Sequence, residues 1–268
     1  EADTLGICLE KLKTVSRNEN IELEVIVADN GSTDDSQKIT EKYGARIVAV
    51  EEKGYGAALM GGIEEARGPF VIMGDADDSY DFLELPKFVQ ALREGNELVQ
   101  GCRLPGGGGR VLPGAMPWSH RHLGNPMFTH FVRRWFGSPI HDVYCGMRGF
   151  TKELYSRLNM RCTGMEFATE MIIKAAQIGA KTAEVPITLH PDGRVNQSPH
   201  LRTIRDGLRT LRFFFLCNPK RLFLFPGLIL IALGLLGYSL AYPGVNLGSI
   251  AFGAHTLLAA SLAIITGY

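Results

Sequence analysis

Net charge is the first thing this chain lacks: its 28 basic residues balance its 28 acidic ones. No global field therefore recommends a nucleic-acid partner. Paired cysteines are missing too. Cys8, Cys102, Cys145, Cys162 and Cys217 are scattered and odd in number, and none forms a Cys-x-x-Cys pair. That excludes a disulfide framework or a zinc ribbon and suits reduced thiols in a cytosolic domain. An initiator Met and a signal peptide are also absent, so the sequence reads as cut at both ends, opening at Glu1 and stopping at Tyr268. The most telling absence is local. From Leu222 to Tyr268 there is no Asp, Glu, Lys or Arg.

Two apolar stretches fill that uncharged tail, Leu222–Tyr242 and about Leu247–Thr266, joined by the turn Tyr242-Pro243-Gly244-Val245-Asn246. Each is near the roughly 20 residues that cross a bilayer, and core helices of soluble domains rarely lack charge on every face. The expectation is a transmembrane helical hairpin over residues 222–268. Ahead of it, His200–Cys217 has arginines on one side and Leu201, Ile204, Leu208, Leu211, Phe214 and Phe215 on the other. Residues 200–221 thus read as a basic amphipathic helix lying on membrane lipids. Arg202, Arg205, Arg209, Arg212, Lys220 and Arg221 crowd the segment before the first stretch, and the turn carries no cation. The positive-inside rule then keeps residues 1–199 on the cytosolic face of an integral membrane protein.

Within residues 1–199, strands alternate with helices. Apolar spacing predicts a helix over residues 3–16 and strands over Leu23–Ala28, Arg46–Val50, Pro69–Met73 and Leu98–Gly101. Helices are expected up to the stop at Gly44, over Gly56–Ala66 and over Leu83–Arg93. Further helices are expected near Pro126–Phe136 and over 166–178, with a strand over Thr182–Leu189. This alternation implies an α/β fold with a mostly parallel central sheet and right-handed crossovers. From Leu104 to Asn125 the pattern dissolves into Pro105-Gly106-Gly107-Gly108-Gly109-Arg110 and a stretch rich in Pro and His. A loop that long inside a compact domain is usually functional or disordered.

Gly74-Asp75-Ala76-Asp77-Asp78 follows the apolar run Pro69–Met73. Carboxylates released at the C-terminal end of a buried strand land where open α/β sheets bind ligands. Two of them one residue apart can share a divalent cation that neutralises a diphosphate. Asp29-Asn30-Gly31-Ser32-Thr33-Asp34 ends an earlier strand, and Lys53-Gly54-Tyr55-Gly56-Ala57 between them is a glycine turn opening a helix, where backbone N–H groups can approach an anion. On one parallel sheet, these three loops would converge on a single crevice.

These segments, with Glu184-Val185-Pro186-Ile187, resemble in order and spacing the family 2 glycosyltransferases of GT-A (Rossmann-like) fold. The similar subgroup contains the dolichol-phosphate mannose synthases and polyprenyl-phosphate glucosyltransferases. The resemblance implies an inverting, metal-dependent hexosyltransferase of the 2.4.1 type that moves a sugar from a nucleotide-sugar to a polyprenyl or dolichyl phosphate. It implies that Asp29 holds the nucleotide base with Glu1 and Lys53 nearby, that Gly54, Gly56 and Ala76 line the donor site, and that Asp75 faces the ribose and diphosphate. Asp75 and Asp77 would hold Mg²⁺ or Mn²⁺. Ser79 stands where the family often has a Gln ligand, and Asp78 is a candidate replacement. Arg103, in Gly101-Cys102-Arg103, and Arg121 would meet the acceptor phosphate. Asp142 and Arg148, in Asp142-Val143-Tyr144-Cys145-Gly146-Met147-Arg148, would line the acceptor site, Asp142 either as a base or as a residue that orients an arginine. Glu1 resembles the last residue of a first-strand segment that the sequence does not contain.

A phosphate acceptor makes chemical sense of the missing base. Its second pKa is about 6, so it is already nucleophilic at neutral pH. Bringing it beside a diphosphate is the harder task, since two unit charges 4 Å apart repel by about 4 kcal/mol at an effective dielectric of 20. Competing readings are a lipid or glycan hydroxyl acceptor, a sugar nucleotidyltransferase and a non-catalytic GT-A domain; the oligomeric state, homo-oligomer included, stays open. Asp75, Asp77, Ser79 and Asp81 match the start of an EF-hand, but Tyr80 and Pro86 stand where Gly and Glu are required. Arg134-Trp135 has the last two residues of a Gln-x-x-Arg-Trp motif, but Phe131 replaces the Gln. His120, His122 and His130 match no usual His metal motif.

Overall fold

A computed structural model describes residues 1–194, 203–247 and 250–268. The expected start of the amphipathic helix at His200, with Leu201 and Arg202, lies outside the described residues, and so do the side chains of Ile204 and Arg205. The chain divides into two compact units, Glu1–Asp206 and Gly207–Tyr268.

The first unit begins with α1 (Ala2–Asn18), whose Leu5, Cys8, Leu9 and Val15 form a buried stripe. Then come β1 (Ile26–Asp29), α2 (Ser36–Lys42), β2 (Arg46–Ala49), α3 (Tyr55–Glu65) and β3 (Phe70–Met73). A 3₁₀ turn over Phe82–Glu84 leads into α4 (Leu85–Arg93) and β4 (Leu98–Cys102). β4 is buried at all five positions, as its run of apolar residues requires. After it come β5 (Arg110–Val111) and a π-helical turn, His120–Gly124, that runs into α5 (Asn125–Phe136). Gly137, in the left-handed region, closes α5. The unit ends with β6 (Arg148–Thr151), α6 (Lys152–Leu158), α7 (Phe167–Gln177), β7 (Thr182–Pro186) and β8 (Thr188–Leu189).

The main sheet has the order β3-β6-β4-β7. β3, β4 and β7 run parallel, and β6 is inserted antiparallel between β3 and β4, with Arg148 opposite both Met73 and Gln100. β1 and β2 form a separate parallel ladder. The expected single parallel sheet is thus two ladders, the larger one mixed by a strand that enters from the Asp142–Met147 loop. β6 starts where β3 and β4 end, so the loops after β3 and β4 and the loop before β6 share one edge.

Three other expectations change. Thr182–Leu189 is two strands, because Ile187 switches ladders: its N–H donates to the Cys102 carbonyl and its own carbonyl accepts from Arg110, each at 3.0 Å. The Leu104–Asn125 loop is ordered, since β5 pairs with β8 and the glycines press against β4, where a Cβ on Gly107 would lie 2.5 Å from Cys102 Sγ. α6 was not foreseen, although Thr151 caps it by accepting from Leu154 N at 3.0 Å.

α8 (Thr203–Cys217) begins before the division at residue 207 and runs on into the second unit, which also contains α9 (Phe225–Ala241) and α10 (Ala254–Gly267). On α8, Phe214 and Thr210 are buried while Leu208 is exposed. The π-helical turn Lys220–Leu224 continues into α9 as 22 helical residues, about 33 Å and long enough to cross a bilayer. α10 has 14 residues, about 21 Å, shorter than the expected second span. The two helices pack antiparallel through small residues. Gly227 meets Gly267, Gly234 meets Ala260 and Ile264, and the Tyr238 and Ser261 hydroxyls hydrogen-bond at 2.6 Å.

Candidate functional site

β1 ends at Asp29, the edge of a cleft lined also by Glu1, Val27, Ser32, Gln37 and Ala76. Asp29 is buried. Its Oδ1 accepts from Gly31 N and Ser32 N, at 3.2 and 2.8 Å, and its Oδ2 from Gln37 Nε2 at 2.7 Å. Burial alone would raise its pKa, but the bonds from Gln37 and Ser32 outweigh it and hold the carboxyl below its ordinary value. Asn30 ties this turn to the next, donating to the Val50 and Glu52 carbonyls and accepting from Gly54 N. Lys53 Nζ donates to the Asn30 carbonyl at 2.5 Å, so Lys53 lies against the turn that follows Asp29, while Glu1 and Ala76 line the cleft with Asp29.

The glycines of the 53–57 turn have a packing role that the sequence did not show. Gly54 has φ +147, and a Cβ there would strike the Thr163 carbonyl. One on Gly56 would lie 2.8 Å from Phe167 Cβ. Gly54 N is taken by Asn30 and Ala57 N by Thr163 O. The glycines let α3 seat against the 162–167 segment.

Beyond β3 the acidic loop divides. Asp75 is half-buried, with the Tyr55 hydroxyl facing it, and its pKa is pushed up to about 6 by burial first and by the Asp77 charge next. Gly146 presses on it: a Cβ there would sit 2.6 Å from Asp75 Oδ2. Asp77 Oδ1 accepts from Ser79 N at 3.0 Å, and its Oδ2 lies 3.9 Å from Arg194 Nη2. Arg194 also reaches Glu1 Oε1 at 3.6 Å and Asp192 Oδ2 at 2.5 Å. Asp78 adopts φ +60 and pairs with Lys11 at 2.8 Å. One oxygen of the candidate replacement for the missing Gln, Oδ1, is thus held by α1.

Whether this loop fits a divalent cation is answered by its donors. Asp75 and Asp77 are hard oxygen ligands whose mutual repulsion raises Asp75, with Glu1 adding to it. Hard carboxylate oxygens this close together suit Mg²⁺ or Mn²⁺. Among the described residues no group of three or more His, Cys, Asp or Glu could hold a metal alone.

At the end of β4, Arg103 forms a two-pronged fork with Asp142. Nε meets Oδ2 at 2.7 Å and Nη2 meets Oδ1 at 2.9 Å, while the Arg103 N–H donates to Oδ2 at 3.0 Å. Both residues are buried. Asp142, with both oxygens engaged, orients an arginine and is not free to act as a base. Arg148 is fully buried, donating from Nη1 to Ala168 O and from Nη2 to Cys145 O. Expected to line the acceptor site, it is instead enclosed, tying the Cys145 carbonyl to that of Ala168. Arg121 sits in the π-helical turn, with no hydrogen bond or ion pair to Arg103 or Asp142 among the described residues.

Several groups here were missed. The Tyr80 hydroxyl accepts from Gly146 N at 2.8 Å and lies 3.4 Å from Arg103 Nη1, linking the acidic loop to the fork. Gln100 Nε2 donates to the Asp142 and Cys145 carbonyls. Glu184 accepts from His141 N at 2.5 Å and lies 2.6 Å from His141 Nδ1. Tyr80 sits two residues from a recognised motif and Glu184 within one, so proximity to the motifs was the available signal. Arg194 had none.

A family model described as "Glycosyl transferase family 2" matches residues 1–158. The low-salt glycan biosynthesis hexosyltransferase Agl6 of Haloferax volcanii is 39% identical over 270 residues, covering 100% of this chain and 63% of that protein. The chain thus spans less than two thirds of that relative's length. A dolichyl-phosphate hexose transferase of the same organism is 34% identical over 165 residues, covering 61% of this chain and 68% of its own. Among solved structures, glucosyl-3-phosphoglycerate synthase from Mycobacterium tuberculosis, in complex with Mn²⁺, uridine-diphosphate and glucosyl-3-phosphoglycerate, superposes with a TM-score of 0.59 at 20% identity. It covers 81% of this chain and 75% of that one; the likeness is one of fold.

Proposed function

The chain belongs to glycosyl transferase family 2, and from that premise we propose that it transfers a hexose from a nucleotide-sugar to a polyprenyl or dolichyl phosphate, with inversion. The observation that carries this reading is the shared edge of the sheet. There Asp75 and Asp77 stand between the Asp29 cleft and the Arg103–Asp142 fork, and Gly146 and Tyr80 join the two halves. A relative named as a dolichyl-phosphate hexose transferase supports a lipid-phosphate acceptor.

In this reading the nucleoside occupies the cleft beside Glu1, Asp29 and Ala76. Asp75 and Asp77 hold the divalent cation, which when bound supplies charge neutralisation to the diphosphate. Arg103 is pre-aligned by Asp142 and Tyr80, and its remaining N–H groups meet the acceptor phosphate. A dianionic acceptor needs no base, which fits an Asp142 already consumed by Arg103. The outer surface of the second unit supports residence in a membrane. Leu228, Ile229, Leu233, Leu236, Leu258 and Leu262 are exposed, while small residues fill the α9–α10 seam. The reading includes α9 as a span, α10 as its hairpin partner and residues 1–199 in the cytosol.

Membranes containing the chain, given labelled UDP-glucose, GDP-mannose or UDP-N-acetylglucosamine with polyprenyl phosphate and Mn²⁺, should form an acid-labile lipid-linked sugar. Chelation or Asp77→Ala should abolish it, and undiminished transfer by that variant would sink the metal assignment. A second reading, transfer to a hydroxyl, draws on His141, because an imidazole oriented by the Glu184 carboxylate has the geometry of a general base. His141→Ala would then cost about 10²–10⁴-fold in rate on a hydroxyl acceptor and leave transfer to a phosphate intact.

A further inference from the structure

Between Arg103 and Asp142 the chain has no acid. Residues 104–141 contain neither Asp nor Glu, yet hold Arg110, Arg121, Arg133 and Arg134. In a chain of zero net charge this is a local concentration of positive charge, and most of it lies on the helical run of the π turn His120–Gly124 and α5. The inner face of the run is buried through Asn125, Thr129 and Val132. It braces the loop that carries Asp142: Thr129 Oγ1 accepts from Val143 N at 3.4 Å, and Phe128 meets Tyr144 edge-on at 5.6 Å.

The outer face is unlike an ordinary solvated helix surface. Leu123, Met127, His130 and Arg134, spaced four, three and four residues apart, form one exposed stripe opposite the buried residues. Trp118 precedes it. Trp118 and Leu123, at 68% and 60%, are the two most exposed large apolar side chains among the described residues of the first unit. Arg121, Arg133 and Arg134 form no ion pair among the described residues. An exposed Trp, two aliphatic side chains and unpaired arginines, with no carboxylate, suit one kind of partner. Apolar tips enter a bilayer interface while guanidinium groups pair with anionic headgroups.

We propose that the outer face of residues 118–134 is a membrane-docking surface, seated on the anionic lipid headgroups of a bilayer. Docking there sets the Asp142 loop, and the Arg103 it aligns, at the depth where a phosphate on a lipid is presented. That consequence rests on the acceptor reading above; the docking itself rests on the surface alone.

The chain has two tryptophans, Trp118 and Trp135, and Trp135 stacks on Phe131 inside the run. Trp135→Phe leaves Trp118 as the sole emitter in the full chain, reconstituted into phosphatidylcholine vesicles with or without phosphatidylglycerol. Lipids brominated high in the acyl chain should quench about half or more of the Trp118 emission in the anionic vesicles. Arg133→Glu with Arg134→Glu, or omission of the anionic lipid, should lower that quenching about twofold or more. Quenching by aqueous acrylamide with no response to brominated lipid would overturn the proposal. Shielding from acrylamide that ignores brominated lipid and vanishes at one chain per vesicle would overturn it too, in favour of a second copy. If Trp135→Phe fails to fold, the difference between the native chain and Trp118→Phe reads the same signal. None of these outcomes depends on whether transfer is observed, so a failed acceptor assignment leaves the test intact.

Discussion

Asp75 shows at one residue how function and stability pull apart. Its carboxyl is pushed up to about 6 from an ordinary 3.8, by burial and then by Asp77. A folded-state value above the unfolded one means that between pH 4 and 6 the folded protein binds the extra proton. Stability therefore falls as pH rises through that window. In metal-free protein, Asp75→Asn should stabilise by roughly 2–3 kcal/mol at pH 7 and flatten the pH dependence of urea unfolding between pH 4 and 6, while transfer is lost. A pH profile identical to the native one would contradict this. Asp142 predicts the opposite balance. Asp142→Ala strands a buried Arg103, so unfolding should become easier by about 3–5 kcal/mol, read as a lower urea midpoint. A base with no structural duty would instead lose rate at unchanged stability. Thiol chemistry is also set residue by residue: burial pushes Cys8 up to about 11 and Cys102 and Cys145 up to about 12. These three should resist alkylation by iodoacetamide at pH 8 until the fold is opened by denaturant.

At the scale of elements, the strand ends and their glycines position the chemistry. β6 enters antiparallel between β3 and β4, so the loop before it meets the loops after them, and the missing side chain at Gly146 lets that loop touch Asp75. Gly146→Ala should weaken Mn²⁺ binding about 10–100-fold, as loss of a supporting contact does, with circular dichroism unchanged. Native affinity in that variant would show the contact to be incidental. The motifs around Asp29, Asp75 and Asp142 were legible in the sequence because each is a short polar signal at the end of an apolar run. The role of the 53–57 glycines was not. A glycine needed for close approach to an anion and one needed for close approach to the Thr163 carbonyl look the same in one dimension. Ile187 was equally opaque, since a residue that changes ladder partner leaves the apolar alternation intact.

At the scale of the whole molecule, the uncharged tail folds with small residues inward and large apolar ones outward, the reverse of a soluble core. The full chain should stay with the membrane pellet after extraction with alkaline carbonate, and release into the supernatant would contradict a spanning α9. By itself the sequence determined the α/β class, the order of the motifs, the acidic loop and the location of the apolar tail. All of these depend on local composition and period, which neighbours along the chain supply. Only the tertiary structure decided which cation each carboxylate meets. Asp77 and Asp78 are adjacent in sequence, but the left-handed turn at Asp78 sends it to Lys11 on α1 while Asp77 lies beside Arg194. It also decided that Asp142 is spent on Arg103 and that Arg148 is scaffold. Ionic pairing is settled by distance and burial between segments far apart in the chain, and no local pattern encodes either.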